Sequence, residues 1–158
     1  MQAVFNLTVF ADYFQFIVQD EASDDDFSAI WTPEAFELGV AVGQSAVCPG
    51  TLRNVDVSVE IAICEGEPDI DLDSVDHAVE ASIKLPTGKL VVMCCTGYFA
   101  DAPRFTLPQG TYRALVLMQG IETIKTEWEP ADDKYIVYLW PGETRETKLL
   151  KHWKSGAT

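Results

Sequence analysis

Apolar residues recur at every second position along two segments of the chain. Val or Ile stands at positions 55, 57, 59, 61 and 63, and apolar residues stand again at positions 79, 81, 83 and 85. Successive side chains of a strand point to opposite faces of a sheet. The alternation therefore predicts two strands that each bury one face.

Other apolar segments do not alternate. Residues 112–118 and 135–140 are aromatic, β-branched or otherwise apolar at almost every position. This pattern predicts strands that are covered on both faces. Residues 5–10 and 13–18 also have the composition of strands. The turn-forming sequence LPTGK at residues 85–89, followed by another apolar run, predicts a hairpin between the strands on either side of it.

One segment has the signals of a helix. Thr32 can cap a helix that begins at Pro33, and Pro is favoured at the first helical position. Ala35, Leu38 and Val42 would share one face, and Gly43 could end the helix. The sequence therefore predicts one short helix near residues 33–42.

These elements together predict an all-β fold. Six to eight short strands, separated by Gly and Pro turns, suggest a mainly antiparallel β-sandwich with the helix inserted early. Residues 143–153 fit either a strand or a short helix. Neither a repeat nor a linker divides the chain, so we expect a single domain over residues 1–158. An edge strand left open by the sandwich would allow a homo-oligomer.

Negative charge is concentrated in the first half of the chain. The sequence has 25 Asp and Glu residues against 11 Lys and Arg, and a net charge of −14. Of these, 17 acidic residues but only one basic residue, Arg53, lie before position 84. Such a charge can serve solubility alone, but it also attracts a basic partner and repels nucleic acid. We therefore expect a basic protein partner and no direct binding of nucleic acid.

The sequence favours a protein of the cytoplasm. No apolar run is long enough to cross a bilayer, so membrane insertion is not expected. The first residues, MQAVFN, lack the basic start and apolar core of a secretion signal.

Catalytic and metal-binding patterns are weak. Neither of the two histidines, His77 and His152, stands near a recognisable nucleophile motif, so we expect no enzyme activity and no cofactor. Asp69, Asp71 and Asp73 alternate as in a calcium-binding loop, although the glycine that an EF-hand requires is absent. A calcium-dependent or small-ligand-binding β-sandwich module of unknown role remains the alternative function.

Four segments, taken in order, resemble the competence protein J family of bacteria. They are YFQFIV at residues 13–18, WTPEA at 31–35, Arg53-Asn54 at the start of a long strand, and FTLPQGTY at 105–112. The resemblance implies an inhibitor of a DNA-entry nuclease, which restrains the nuclease by binding it. It supplies no contact residues.

The predicted contact surface rests on charge and on one aromatic anchor. Acidic loops on a rigid sandwich can converge on a basic partner, and Trp31 lies between the most acidic loop and the helix. Packing of the helix onto the sheet is the competing role for Trp31. The predicted partner-binding residues are Asp20, Glu21, Asp24, Asp25, Asp26, Trp31, Glu34, Glu37, Asp69, Asp71, Asp73 and Asp76.

Overall fold

The structure is a computed structural model that describes residues 2–97 and 99–153. Within these residues, eleven strands and one α-helix alternate with short 3-10 turns. The strands are β1 (Gln2–Phe10), β2 (Ile17–Asp20), β3 (Val40–Val42), β4 (Ala46–Pro49), β5 (Asp56–Cys64), β6 (His77–Leu85), β7 (Lys89–Met93), β8 (Arg104–Thr106), β9 (Gly110–Gln119), β10 (Lys134–Pro141) and β11 (Lys148–Lys151), and the helix is α1 (Pro33–Leu38).

The strands form two sheets that enclose the core. The six-stranded sheet has the order β1-β5-β10-β9-β6-β11, and the five-stranded sheet has the order β3-β4-β2-β7-β8. Neighbouring strands are antiparallel except for β5 and β10, which run parallel. The predicted all-β, mainly antiparallel sandwich is confirmed, with more strands than the six to eight expected.

The alternating pattern corresponds to the core between the sheets. Val57, Val59 and Ile61 of β5 are buried there, whereas Asp56 and Ser58, on the other face of the strand, are exposed. Each such side chain contributes roughly 1.5–3 kcal/mol when it is fully buried. This apolar layer holds the two sheets together.

The continuous apolar strands are covered on both faces. On the outer side of the six-stranded sheet, Leu117 and Ile136 pack in a second cluster. Ile70, Leu72 and Val75, from the connection between β5 and β6, cover this cluster. The acidic residues 69–76 therefore belong to a segment that also has a packing role.

The helix is shorter than predicted. Thr32 accepts a hydrogen bond from the Ala35 N–H at 3.2 Å and Pro33 is the first helical residue, as expected. However, Gly39 adopts a left-handed conformation (φ 75°) and ends the helix after Leu38. Residues 40–42 then form β3, so the predicted end at Gly43 is wrong.

Two predicted strand features are also wrong. Strands β6 and β7 flank the LPTGK turn, but they belong to different sheets and do not pair as a hairpin. The turn instead connects the six-stranded sheet to the five-stranded sheet. Only the last residues of the segment 13–18 are in a strand, because residues 12–14 form a 3-10 turn. The segment 143–153, whose sequence fits either a strand or a short helix, contributes the strand β11.

Strand β6 defines the two ends of the sandwich. It begins at His77, beside Met118 of β9, and finishes at Leu85, beside Gly110. We call these the His77 end and the Leu85 end; they lie about 26 Å apart at ~3.3 Å per residue. In the part of the chain that the structure describes, no helix is long and apolar enough to cross a bilayer.

Candidate functional site

A groove of about 380 Å³ opens at the His77 end. Its volume is within the range of roughly 300–1,000 Å³ that is usual for ligand pockets. Most of its walls are aromatic or aliphatic, and the principal side chains are Tyr13, Phe14, Trp31, Phe36, Leu52 and Trp153. Several of these are exposed large hydrophobic residues, with Tyr13 71% and Phe36 70% exposed. Clustered exposure of this kind is typical of a binding surface.

One wall of the groove is a strained turn. Tyr13 and Phe14 have φ values of 58° and 59°, a left-handed conformation that costs a non-glycine residue roughly 1–2 kcal/mol. The buried Asp12 fixes this turn, since its carboxylate accepts hydrogen bonds from the backbone N–H groups of Cys95 at 2.8 Å and Thr96 at 2.9 Å. The rest of the fold therefore holds two aromatic side chains at the groove in a conformation that the turn alone would disfavour.

An aromatic pair forms another part of the lining. The rings of Trp31 and Phe36 lie 5.1 Å apart at an angle of 37°. The indole N–H of Trp31 donates to the Gln15 side-chain oxygen at 2.7 Å, and Cη2 of its ring lies close to Gly50. Trp31 is half-buried and packs against the apolar cluster beneath the helix, which includes Ala35. Trp31 therefore serves the packing of the helix and also lines the groove.

His77 lies at the groove and joins three segments. Its Nδ1 accepts a hydrogen bond from the Trp153 N–H at 2.9 Å, so its Nε2 carries the proton and donates to the Leu38 carbonyl oxygen at 2.5 Å. Burial lowers the pKa of His77, the hydrogen bond to Leu38 opposes this shift, and nearby His152 adds to the lowering. His77 is therefore neutral near pH 7, and both of its ring nitrogens are already engaged.

Two of the predicted contact acids stabilise turns at the Leu85 end. Asp20 is fully buried and accepts hydrogen bonds from Thr87 at 3.1 Å and 2.9 Å. Asp25 accepts from the N–H groups of Gln44 at 2.8 Å and Ser45 at 2.9 Å. Partial burial raises the pKa of Asp25, but these hydrogen bonds outweigh it and hold the pKa below its usual value.

The other predicted acids of residues 20–26 are more accessible. Glu21 lies 3.8 Å from Lys89 and 3.7 Å from Arg104, so its charge is already partly balanced. Asp24 and Asp26 are exposed, and Asp26 also caps the turn that follows it. Asp20, Glu21, Asp24 and Asp25 lie at the Leu85 end, whereas Asp26 begins the turn that leads to Trp31.

The second acidic segment runs over the outer face of the six-stranded sheet towards the His77 end. Asp69, Asp71 and Asp73 are exposed, and Asp71 accepts a hydrogen bond from the Asp73 N–H at 3.0 Å. Asp76 accepts from the Ile121 N–H at 3.0 Å, which ties the segment to the β9–β10 connection. The two acidic segments are thus not brought together, because β6 separates them.

The helix brings one acidic side chain to the groove. Glu34 and Glu37 are both exposed on α1, and Glu37 lines the groove itself. In residues 2–97 and 99–153, no group of three or more His, Cys, Asp or Glu side chains is placed to hold a metal ion. The alternating acids 69, 71 and 73 do not form such a group.

Sequence reasoning missed much of this end of the molecule. The β9–β10 connection adds the exposed acids Glu122, Glu129 and Asp132, and it carries Trp128, which is 75% exposed. The connection is attached next to the groove through Arg53, whose guanidinium donates to the Glu129 carbonyl oxygen at 2.8 Å. A local acidic composition over residues 122–132 was the one signal for these residues. Of the groove aromatics, only Trp31 was predicted, as an anchor before the helix.

Two solved structures share this fold. ComJ of Bacillus subtilis, an inhibitor of the DNA-degrading activity of NucA, matches with a TM-score of 0.68 at 20% identity, over 90% of this chain and 99% of that chain. The product of crocagin biosynthetic gene J matches with a TM-score of 0.63 at 19% identity, also over 90% and 99% of the two chains. No protein-family model matches the chain, and no curated protein matches its sequence. The chain therefore has a ComJ-like fold.

Proposed function

We propose that this chain binds and inhibits a nuclease and catalyses no reaction itself. The observation that carries the proposal is the fold, which the chain shares over 90% of its length with an inhibitor of a DNA-degrading nuclease. The resemblance of the sequence segments to the competence protein J family points the same way.

Charge supports this partner class. A nuclease must hold DNA phosphates, and proteins usually do so with basic side chains. A protein of net charge −14 attracts such a surface, speeds the encounter and orients the docking. The exposed acids offer carboxylates where the nuclease would otherwise bind phosphates.

The His77 end is the proposed contact surface. It combines the aromatic groove with Glu37, Asp73 and Glu122, all of which are exposed. Basic side chains at this end are mostly engaged already: Arg53 pairs with Asp133 at 2.5 Å and Lys134 with Glu60 at 2.8 Å. Aromatic anchors surrounded by complementary charge are typical of high-affinity interfaces. We therefore place Asp20, Glu21, Asp24 and Asp25 outside the contact.

The proposal can be tested by capture and assay. The purified chain would be used as bait in lysate of its source organism, at low and then raised salt, and each bound protein would be assayed for DNA degradation. We expect a basic nuclease that is silenced by the chain and released as salt rises. Recovery of no nuclease from cells that express one would refute the proposal.

A further inference from the structure

We propose that the groove at the His77 end binds an arginine side chain of the partner protein. This inference rests on the proposed function, since a nuclease that holds DNA phosphates would present such side chains. It goes beyond that function in assigning one residue type of the partner to one site of this chain.

The shape and the walls of the groove suit a guanidinium group. Tyr13 and Phe36 both line the groove and are largely exposed, and the Trp31 ring lies beside Phe36. Arginine is planar and weakly hydrated for a cation, so it stacks on aromatic faces and leaves its aliphatic stem in apolar surroundings. The chain already contains one such contact, because the Arg104 guanidinium lies 4.7 Å from the centre of the Phe99 ring.

Charge distinguishes an arginine from an apolar anchor. Glu37 lines the groove, and within the described residues no basic side chain forms an ion pair with it. His77 is held neutral by its two hydrogen bonds and adds no positive charge. A leucine or phenylalanine anchor would leave Glu37 without a partner. The aliphatic stem of an arginine would pack against the apolar walls, and its guanidinium would pair with the Glu37 carboxylate.

Backbone strain indicates that the aromatic wall is selected for more than stability. Two consecutive aromatic residues, Tyr13 and Phe14, adopt a left-handed conformation that glycine would adopt at lower cost. Tyr13 is 71% exposed, so burial of its ring compensates for little of this conformational cost. Strain of this kind, held in place by surrounding structure, is characteristic of binding sites.

The test uses small probes that differ only in the side chain. Nα-acetyl-arginine amide would be titrated into the full chain while the backbone amide shifts are recorded by NMR. Nα-acetyl-citrulline amide keeps the planar end group without the charge, and Nα-acetyl-leucine amide supplies only apolar bulk. We expect arginine to shift the amides of Gly39, Gly50 and Leu52, and to bind at least about ten-fold more tightly than citrulline.

Two groove variants and one matched control complete the test. Phe36→Ala and Glu37→Gln change exposed side chains, so the fold should persist, and each should weaken arginine binding by about three- to ten-fold. Phe10→Ala removes an aromatic side chain that is 46% exposed and lies outside the groove, so arginine binding should not change. Leucine binding as tightly as arginine, or groove variants that bind arginine as the unaltered chain does, would overturn the inference.

The inference and the proposed function can fail separately. If the arginine probe binds in the groove but the chain inhibits no nuclease, the proposed function fails and the site assignment stands. If the chain inhibits a nuclease and Phe36→Ala and Glu37→Gln leave that inhibition unchanged, the function stands and the groove is not the arginine site.

Discussion

The backbone N–H of Trp153 donates a hydrogen bond to Nδ1 of His77, 2.9 Å away. A protonated imidazole has no acceptor at this nitrogen, so this bond exists only while His77 is neutral. The other ring nitrogen donates a hydrogen bond to the Leu38 carbonyl oxygen, and the centre of the His152 ring lies 5.4 Å from that of His77. One imidazole therefore ties the C-terminal segment to the end of the helix, at the edge of the groove.

We expect the stability of the fold to fall as the pH drops below about 6.5. Burial lowers the pKa of His77 in the folded state from its ordinary value of 6.5, so the unfolded chain binds this proton more readily. The stabilising contribution is fully present above about pH 6.5 and is lost as the pH falls through the folded-state pKa. Urea unfolding at several pH values from about 7.5 to about 5.5 would measure this dependence. Most carboxylates remain charged in this range, so they contribute little to the change in stability.

Two variants separate His77 from the other groups. His77→Gln should lower the free energy of unfolding near neutral pH and flatten its dependence on pH in this window. His152→Gln should keep most of the dependence. An unchanged pH dependence in His77→Gln would contradict the assignment.

Relief of strain at Tyr13 should stabilise the fold and damage binding. In Tyr13→Gly the left-handed cost disappears, and the free energy of unfolding should rise by up to about 1 kcal/mol after the greater chain entropy of glycine is subtracted. The variant Tyr13→Ala removes the same ring but keeps most of the strain, so its stability should not rise. Chemical denaturation of both variants, with the arginine titration as a second measurement, tests this. A stable Tyr13→Gly that still binds arginine normally would show that the ring is not a contact.

Removal of one partner from a buried ion pair should be costly. Arg53 and Asp133 are 6% and 3% exposed and are joined by two hydrogen bonds, and Tyr135 also donates to Asp133. Asp133→Ala leaves the guanidinium buried without its counter-charge, and we expect a loss of about 3–5 kcal/mol in the free energy of unfolding. The matched control is Glu60→Ala, which breaks a more exposed pair with Lys134 and should cost less than about 1 kcal/mol. Similar losses in the two variants would contradict this account.

The parts of the fold that follow from local pattern could be predicted from the sequence. The alternation of residues 55–63 specifies β5 because one face of that strand is buried and the other is exposed. The Thr32-Pro33 signal predicts the start of α1 correctly, because a helix cap depends only on neighbouring residues. The end of the helix was missed because Gly39 could stop the helix earlier than Gly43, and both glycines suit a C-terminal cap.

The groove could not be predicted, because its geometry depends on contacts between distant residues. The left-handed turn at Tyr13 is fixed by the hydrogen bonds of Asp12 to Cys95 and Thr96, more than eighty positions along the chain. Aromatic residues normally avoid this conformation, so the composition of the segment favoured a strand. The separation of the two acidic segments follows likewise from the path of the chain and not from its composition.

Neutralisation of acids at the His77 end should slow association with the nuclease, and neutralisation at the Leu85 end should not. The test variant carries Glu37→Gln and Glu122→Gln, and the matched control carries Asp24→Asn and Glu143→Gln. Glu143 lies at the Leu85 end, because the neighbouring Gly142 N–H donates to Thr111, which pairs with Lys84. All four side chains are exposed, and the charge changes by the same amount in both variants. We expect the association rate at physiological ionic strength to fall by about three- to ten-fold in the first variant, with a weaker dependence on salt, because steering at that ionic strength depends on charges near the contact.

The control variant isolates position from total charge. At physiological ionic strength, salt screens the attraction between exposed charges beyond a Debye length of about 8 Å. The two ends lie about 26 Å apart, so charges at the Leu85 end contribute little at the His77 end. The control should therefore associate at a rate close to that of the unaltered chain. Stopped-flow association at several salt concentrations measures both variants. Equal slowing would mean that only the net charge matters, and slowing in the control alone would place the contact at the Leu85 end, on the loops around Asp24.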